Sequence, residues 1–267
     1  MDKYAGRPVR TQTQIDNQTL IFNALWGFLN EHATTPVPNG VCLEFGSGRF
    51  GYVDFYKQHF KKSFALDIYD FAEYYDDVDY LLSEDQLTIP LPDSCVDLVA
   101  SHSVLEHVMD IDTTIAEIDR VLRVGGLALL TVSPLYWSYC GGHLYTKDRK
   151  RLENWEHLDP DSEYFMEGRD TIEINMGGFL NRLTMSQLLA AVGKVPWHIE
   201  KLEVKGNVQK KLPDFLKRYD RPLTDFHTKE FKLLIRKVYQ FEGDTLLPVN
   251  KPPQQTPLWN RFFGPKG

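Results

Sequence analysis

Twelve residues, Val41–Tyr52, constrain this chain more than any others. They read VCLEFGSGRFGY: a short apolar strand carrying an acid, Glu44, that runs into Gly46-Ser47-Gly48-Arg49-Phe50-Gly51. Glycines there let the backbone turn sharply and approach a ligand with no Cβ in the way. The helix expected next presents unpaired N–H groups and its positive dipole end to the same spot. A nucleotide-like ligand is the usual occupant of such a turn. A second apolar strand, FALDI at Phe64–Ile68, ends in Asp67, nineteen residues after Gly48. A carboxylate at that tip is placed to accept hydrogen bonds from both ribose hydroxyls of a nucleoside. This spacing also fits nicotinamide-dinucleotide enzymes. Glu44 separates the two cases, because a carboxylate entering the turn repels a pyrophosphate and attracts a sulfonium or an amino-acid ammonium.

The next block adds order to these signals. Ser83–Val99 reads SEDQLTIPLPDSCVDLV and is followed by ASHSVLEHV at Ala100–Val108. A helical pattern with Ile111, Ile115, Ile118 and Val121-Leu122 leads to Arg123-Val124-Gly125-Gly126 and a strand, LALLTVSP. The series resembles the class I S-adenosylmethionine (SAM) methyltransferases, especially the type 11 methyltransferase-domain group. That group's marks are D/E-x-G-x-G, an acid closing the second strand, an LPF-x-D-x-x-F-D segment, an L-E-H segment and an L-K-P-G-G turn. Here they stand as Glu44–Gly48, Asp67, Ile89–Asp97, Leu105–His107 and Leu122–Gly126. Leu91 and Val96 replace two usual aromatics, and Val124 replaces the usual proline. The resemblance spans roughly Val41–Pro134.

It implies an α/β fold: a Rossmann-like, mostly parallel sheet with an antiparallel edge strand and helices on both faces. Residues 1–243 are expected to form a single methyltransferase domain. An opening helix at about Gln14–His32 carries Leu20-Ile21, Ala24-Leu25 and Phe28-Leu29 near one face. Residues 135–178 lack clear periodicity and are rich in Tyr and Trp, which suggests a substrate lid. Thr184 can cap a helix ending at Gly193. Strands near His198–Val204 and Phe231–Val238 would complete the sheet. Residues 244–267 hold prolines at 248, 252, 253, 257 and 265, and should be extended.

Composition points to a cytoplasmic enzyme. The 267 residues are 42% hydrophobic and 13% aromatic, enough for one substantial core with an appendage. No apolar run approaches the length of a membrane span, and the first residues lack the apolar core of a secretory signal. Cys42, Cys95 and Cys140 are odd in number and widely spaced, and read as core thiols. Between Lys62 and Arg120 the chain has fifteen Asp and Glu and no Lys or Arg. Such an acidic face suits a cationic cofactor and disfavours a nucleic-acid backbone. The basic stretch Lys205–Arg218 is where an anionic substrate would be attracted.

The resemblance assigns the cofactor, SAM, to specific positions. Glu44, Gly46, Ser47 and Gly48 surround its methionine portion, Asp67 its ribose, and Ile68 its adenine. Asp85 and Gln86 fall at the adenine edge, and His102 and Ser103 beneath the methyl group. Asp97 reads as a support for neighbouring backbone. The methyl sulfonium is already activated, so the protein must align a nucleophile and exclude water. An alcohol acceptor also needs a base for its proton, and histidine suits neutral pH. His143, flanked by Gly141-Gly142 after the fifth strand, is the first candidate, and His157 the second. Some quinone-biosynthesis relatives extend the turn to E-x-x-E-H and bind a divalent metal. Ser103 stands at the first position here, so no metal is expected. His143, Trp155-Glu156-His157 and Phe179–Thr184 look like a subgroup associated with glycan biosynthesis. The leading reading is O-methylation of a saccharide or another small-metabolite hydroxyl. The alternatives are methylation of a quinone-like or polyketide aromatic, an NAD(P)-dependent oxidoreductase, and a non-catalytic SAM-binding subunit. Oligomeric state is not legible.

Overall fold

The computed structural model describes residues 10–146, 150–166, 180–242 and 245–247. Its centre is a seven-stranded sheet of order β3-β2-β1-β4-β5-β7-β6. The strands are β1 (Val41–Phe45), β2 (Lys62–Asp67), β3 (Asp79–Leu82), β4 (Val96–His102), β5 (Leu122–Val132), β6 (Trp197–Gly206) and β7 (Thr228–Lys237). Neighbours from β3 to β5 pair in parallel, while β7 runs antiparallel to both β5 and β6. Antiparallel pairing is thus confined to one edge region of the sheet. The reversed β7 departs from the parallel 3-2-1-4-5-6 order that dinucleotide-binding sheets commonly have.

Helices cover both faces. Helix α1 (Gln12–His32) starts two residues earlier than its apolar pattern suggests, because Thr11 and Gln14 close a capping box. Its Phe22, Leu25, Phe28 and Leu29 pack with Tyr56 and Phe60 against Cys42, Leu98 and Leu127 of the sheet. The short helix α2 (Val53–Tyr56) lies on the same side. On the other face, α3 (Ile111–Val121) is capped by Asp110 and buries Ile115 and Ile118. It packs beside α4 (Met185–Val192), where Thr184 and Gln187 form the second capping box. Strands covered on both faces are continuously buried, as β4 is over its first six residues. Val96 pairs with Leu122 and Leu98 with Leu127, so residues 123–126 loop out where the Gly-Gly turn was expected.

The segment after β5 departs from a ligand-facing aromatic lid in what its rings do. Tyr136, Trp137 and Trp155 are buried with Leu216 and Phe226 in a separate core. Trp155 donates its indole N–H to the Trp137 carbonyl (3.0 Å), and Trp137 donates to Arg182 (3.2 Å). Those rings are held by one another and by helix α5 (Leu223–His227) rather than turned out as platforms for a sugar. Tyr145 is exposed. Residues 147–149 and 167–179 of that segment, and the proline-rich tail from 248 onward, lie outside the described residues. All three cysteines are buried and free. Among the described residues, no helix is long and apolar enough to cross a membrane.

Candidate active site

The glycine turn is pinned from several sides. Gly46 and Gly48 have φ of 75° and 59°, a region that costs most other residues energy. Gly46 N–H and Ser47 N–H donate to the Leu66 carbonyl at 2.8 and 2.9 Å, tying the turn to β2. A Cβ on Gly46 would sit 2.3 Å from a Val104 methyl, so the turn after β4 packs directly on it. Tyr75 O–H donates within reach of the Gly48 (2.7 Å) and Ser47 (2.9 Å) carbonyls and accepts from Gly51 N–H (2.9 Å). Arg10 donates to the Gly51 carbonyl (3.0 Å) and pairs with Asp54 (3.1 Å), while Gln18 donates to the Phe50 carbonyl (2.6 Å). No local sequence motif announces Arg10, Gln18 or Tyr75 as partners of this loop.

Glu44 plays a different part from the one its type suggests. Its carboxyl, 2% exposed, accepts from Tyr52 N–H (2.8 Å) and Val53 N–H (2.6 Å) at the start of α2. A Cβ on Gly51 would meet it at 2.3 Å. It therefore closes the loop from within. Burial pushes its carboxyl up to about 8, which those two N–H groups only partly oppose.

Asp67 sits at the tip of β2 as expected. One oxygen accepts from Gly48 N–H (2.8 Å) and the other from Ile68 (2.8 Å) and Tyr69 (3.2 Å) N–H groups. Ile68 is exposed beside it. Asp85 is engaged inside its own loop. It accepts from Leu87 N–H (3.0 Å), Thr88 N–H (2.8 Å) and Thr88 O–H (2.6 Å), which holds its carboxyl down near 2. Gln86 follows with φ of 60°. Ser83–Asp85, with Leu82, Thr88 and Pro90, line a cleft of about 380 Å³. Asp97 supports backbone: it accepts from Val41 N–H (2.7 Å) and pairs with Arg123 (2.9 Å).

His102 ends β4 between two hydroxyls, Tyr56 at 3.0 Å from Nε2 and Thr131 at 3.2 Å from Nδ1. Burial lowers its pKa to about 3, so the ring is neutral. Ser103 is exposed at φ 56° and donates to the Ser133 carbonyl (3.1 Å). Glu106 and His107 follow on the same turn, and the His107 ring meets His143 edge-on with centroids 5.3 Å apart. His143, at φ 54°, has Nε2 3.0 Å from the Pro134 carbonyl, and burial lowers its pKa to about 4. With Nε2–H donating there, Nδ1 keeps its lone pair. His157 is a correction. It is 2% exposed, with Nε2 2.6 Å from the Tyr136 carbonyl and its ring against Gly142, so it holds the aromatic core together. Among the described residues, no three His, Cys, Asp or Glu side chains gather as a metal site.

The turn also suits a nucleoside methyl donor. Nothing lies within 4 Å of where a Cβ on Gly48 would project. The Ser47 hydroxyl is buried with no well-directed hydrogen bond among the described residues, and the 380 Å³ cleft lies at the end of β3. Residues 43–130 match the methyltransferase domain family. With the sheet order and the motifs along it, this marks residues 43–130 as a methyltransferase domain set in a class I methyltransferase fold. SAM is accordingly its cofactor.

Solved structures agree on the fold. A geranyl diphosphate methyltransferase in complex with its namesake and sinefungin shares 17% identity. The alignment covers 81% of this chain and 78% of that one, with a TM-score of 0.52. A SAM-dependent methyltransferase from Mesorhizobium loti shares 19%, covering 80% and 97%, TM-score 0.52. A Streptomyces coelicolor A3(2) geranyl diphosphate C-methyltransferase, complexed with Mg²⁺, geranyl diphosphate and S-adenosylhomocysteine, shares 14%, covering 89% and 88%, TM-score 0.52. Such identities speak to fold alone. No curated protein matches the chain by sequence.

Proposed function

We propose that this methyltransferase acts on a hydroxyl of a small polar metabolite, with saccharides the leading acceptor class. The observation that supports this reading is the polarity of the ends of β4 and β5. His102, Ser103, Glu106, His107 and His143 gather there, while the large aromatic rings nearby are packed against one another. An aromatic acceptor would want the opposite arrangement, a dry apolar slot with ring faces exposed. The bound cofactor supplies an activated methyl group. The protein's own residues hold the glycine turn, orient the acceptor and manage its proton. His143 is the group proposed to receive the acceptor's hydrogen bond, through the Nδ1 that its Pro134 contact leaves unprotonated.

The test is a labelled-methyl transfer screen with four acceptor sets: nucleotide sugars and glycan ends, simple polyols, phenols and quinols, and geranyl diphosphate. Transfer to the first two sets, lowered roughly 10²–10⁴-fold in His143→Ala, is the expected result. Transfer confined to phenols, quinols or the allylic diphosphate would overturn the acceptor class.

A further inference from the structure

The Glu106 carboxyl is 2% exposed, and neither oxygen makes a well-directed hydrogen bond among the described residues. Its own backbone N–H and that of Ser133 lie near it and oppose its burial only in part. Leaving a buried polar group unpaired costs about 1–3 kcal/mol, more when it is charged. The fold nevertheless braces the turn that carries it. Asn181 donates its side-chain amide to the carbonyls of Leu105 (2.7 Å) and Val108 (2.9 Å), and its backbone N–H to that of Glu106 (2.9 Å). Two residues before Glu106, Val104 presses on Gly46 of the cofactor turn.

Among the described residues, no cation is paired with this acid. His107 faces His143, and burial keeps His143 neutral near pH 7. Arg182 lies over the Tyr136 ring. Glu230 on β7 takes the Ser133 hydroxyl and is itself paired with Lys205 and Lys229. The complement of such a carboxyl is a positive charge that comes and goes with a ligand.

We propose that Glu106 exchanges its proton with the charge of the methyl donor. It is a carboxylate while a sulfonium occupies the glycine-turn site and a neutral acid when the thioether product does. This rests on the SAM-dependent O-methylation proposed above. The balance closes: the acceptor oxygen's electron pair forms the new O–CH₃ bond, the C–S pair returns to sulfur, and the hydroxyl proton, received first at His143, ends on Glu106. A cation and an anion are thus replaced by two neutral groups, which a low-dielectric site favours. With no ligand, burial raises the Glu106 carboxyl to about 8, so it is mostly protonated at pH 7. A nearby positive charge lowers a carboxyl's pKa. Glu44, raised to a similar degree, differs because both its oxygens already accept backbone N–H groups.

Calorimetry on the full chain at pH 7, in two buffers of different ionisation enthalpy, reads the proton directly. SAM and S-adenosylhomocysteine share their titratable groups and differ in the sulfonium, so their difference isolates the protein's response. SAM should release about one proton more than S-adenosylhomocysteine. In Glu106→Gln that difference should vanish while S-adenosylhomocysteine still binds. In the unmodified protein, the preference for SAM should grow about tenfold per pH unit between roughly pH 6 and 8. Equal proton counts, or a preference flat with pH, overturn the proposal without any variant. A difference that persists in Glu106→Gln overturns it too, and moves the proton to Glu44. Failure of both ligands to bind the unmodified protein would instead sink the cofactor reading itself.

Discussion

Asp67 holds its own turn together at the strand tip where the ribose is proposed to bind. Because one oxygen takes Gly48 N–H and the other the two residues after the strand, its loss removes loop contacts together with the proposed ribose acceptor. Asp67→Ala should weaken S-adenosylhomocysteine binding by roughly 1.5–3 kcal/mol, the scale of hydrogen bonds to a charged group. Unchanged affinity in a titration would show that ribose is bound elsewhere. His143 carries a sharper expectation than an ordinary histidine. Burial holds its pKa near 4, and its proton-accepting form is the neutral ring, lost only as pH falls through that value. Methyl transfer should therefore persist down to about pH 5 and collapse below it. An inflection near 6.5, the ordinary histidine value, would mean that another group receives the acceptor's hydrogen bond.

The elements around the cofactor act as braces. Tyr75 stands between β2 and β3 in the chain, and its hydroxyl accepts the Gly51 N–H. Tyr75→Phe leaves that buried donor unpaired, at about 1–3 kcal/mol. Both thermal stability and S-adenosylhomocysteine affinity should drop, the latter on the order of tenfold; an unaltered affinity would make the hydroxyl incidental to the loop. The Val104–His107 turn has Ser103 exposed in front of it and lacks a second carboxylate beside Glu106 and His107. Methyl transfer should survive EDTA. Complete loss, restored by magnesium, would turn that pair into metal ligands.

What the sequence made legible at this scale was local. The glycine turn, the acid-tipped β2, the Thr184 cap and the Gly-Gly turn each rest on residues within a few positions of one another. The loop-closing bonds of Glu44 were not legible because its partners are N–H groups at the start of α2, whose first turn carries no capping signature. The rings of the post-β5 segment looked available because composition counts aromatics without saying what covers them. Their covers, Leu216, Tyr219 and Phe226, lie far along the chain. The isolation of Glu106 was equally invisible, since an absent partner leaves no pattern.

Across the whole molecule, charge is sorted more finely than the formal net of −7 implies. The basic stretch near β6 is partly spent on neighbours: Lys205 pairs with Glu203 and Glu230, Lys217 with Asp214, and Lys210 lies over the Tyr139 ring. The two buried acids affect stability in one direction. Burial pushes both carboxyls up to about 8, well above the ordinary carboxylate range, so the folded state prefers them protonated. That contribution is complete below about pH 4.5 and is lost as pH rises through about 8. The ligand-free protein should melt progressively lower across that interval, at about 2–4 °C per kcal/mol for a chain of this size. Glu106→Gln should flatten the slope in differential scanning calorimetry; an identical slope would place the linkage on other groups.

The Asn181 clamp has a bearing on how this enzyme could be taken apart. Its side-chain amide grips a carbonyl 76 positions earlier. A chain severed anywhere between Met166 and Leu180 would put the acid-bearing turn on one fragment and its brace, with β6 and β7, on the other. The first half keeps every proposed cofactor and proton-handling residue but loses the Asn181 brace and the two strands that close the sheet. Methyl transfer would reappear only when the halves reassociate, which makes the enzyme a natural two-piece reporter of proximity.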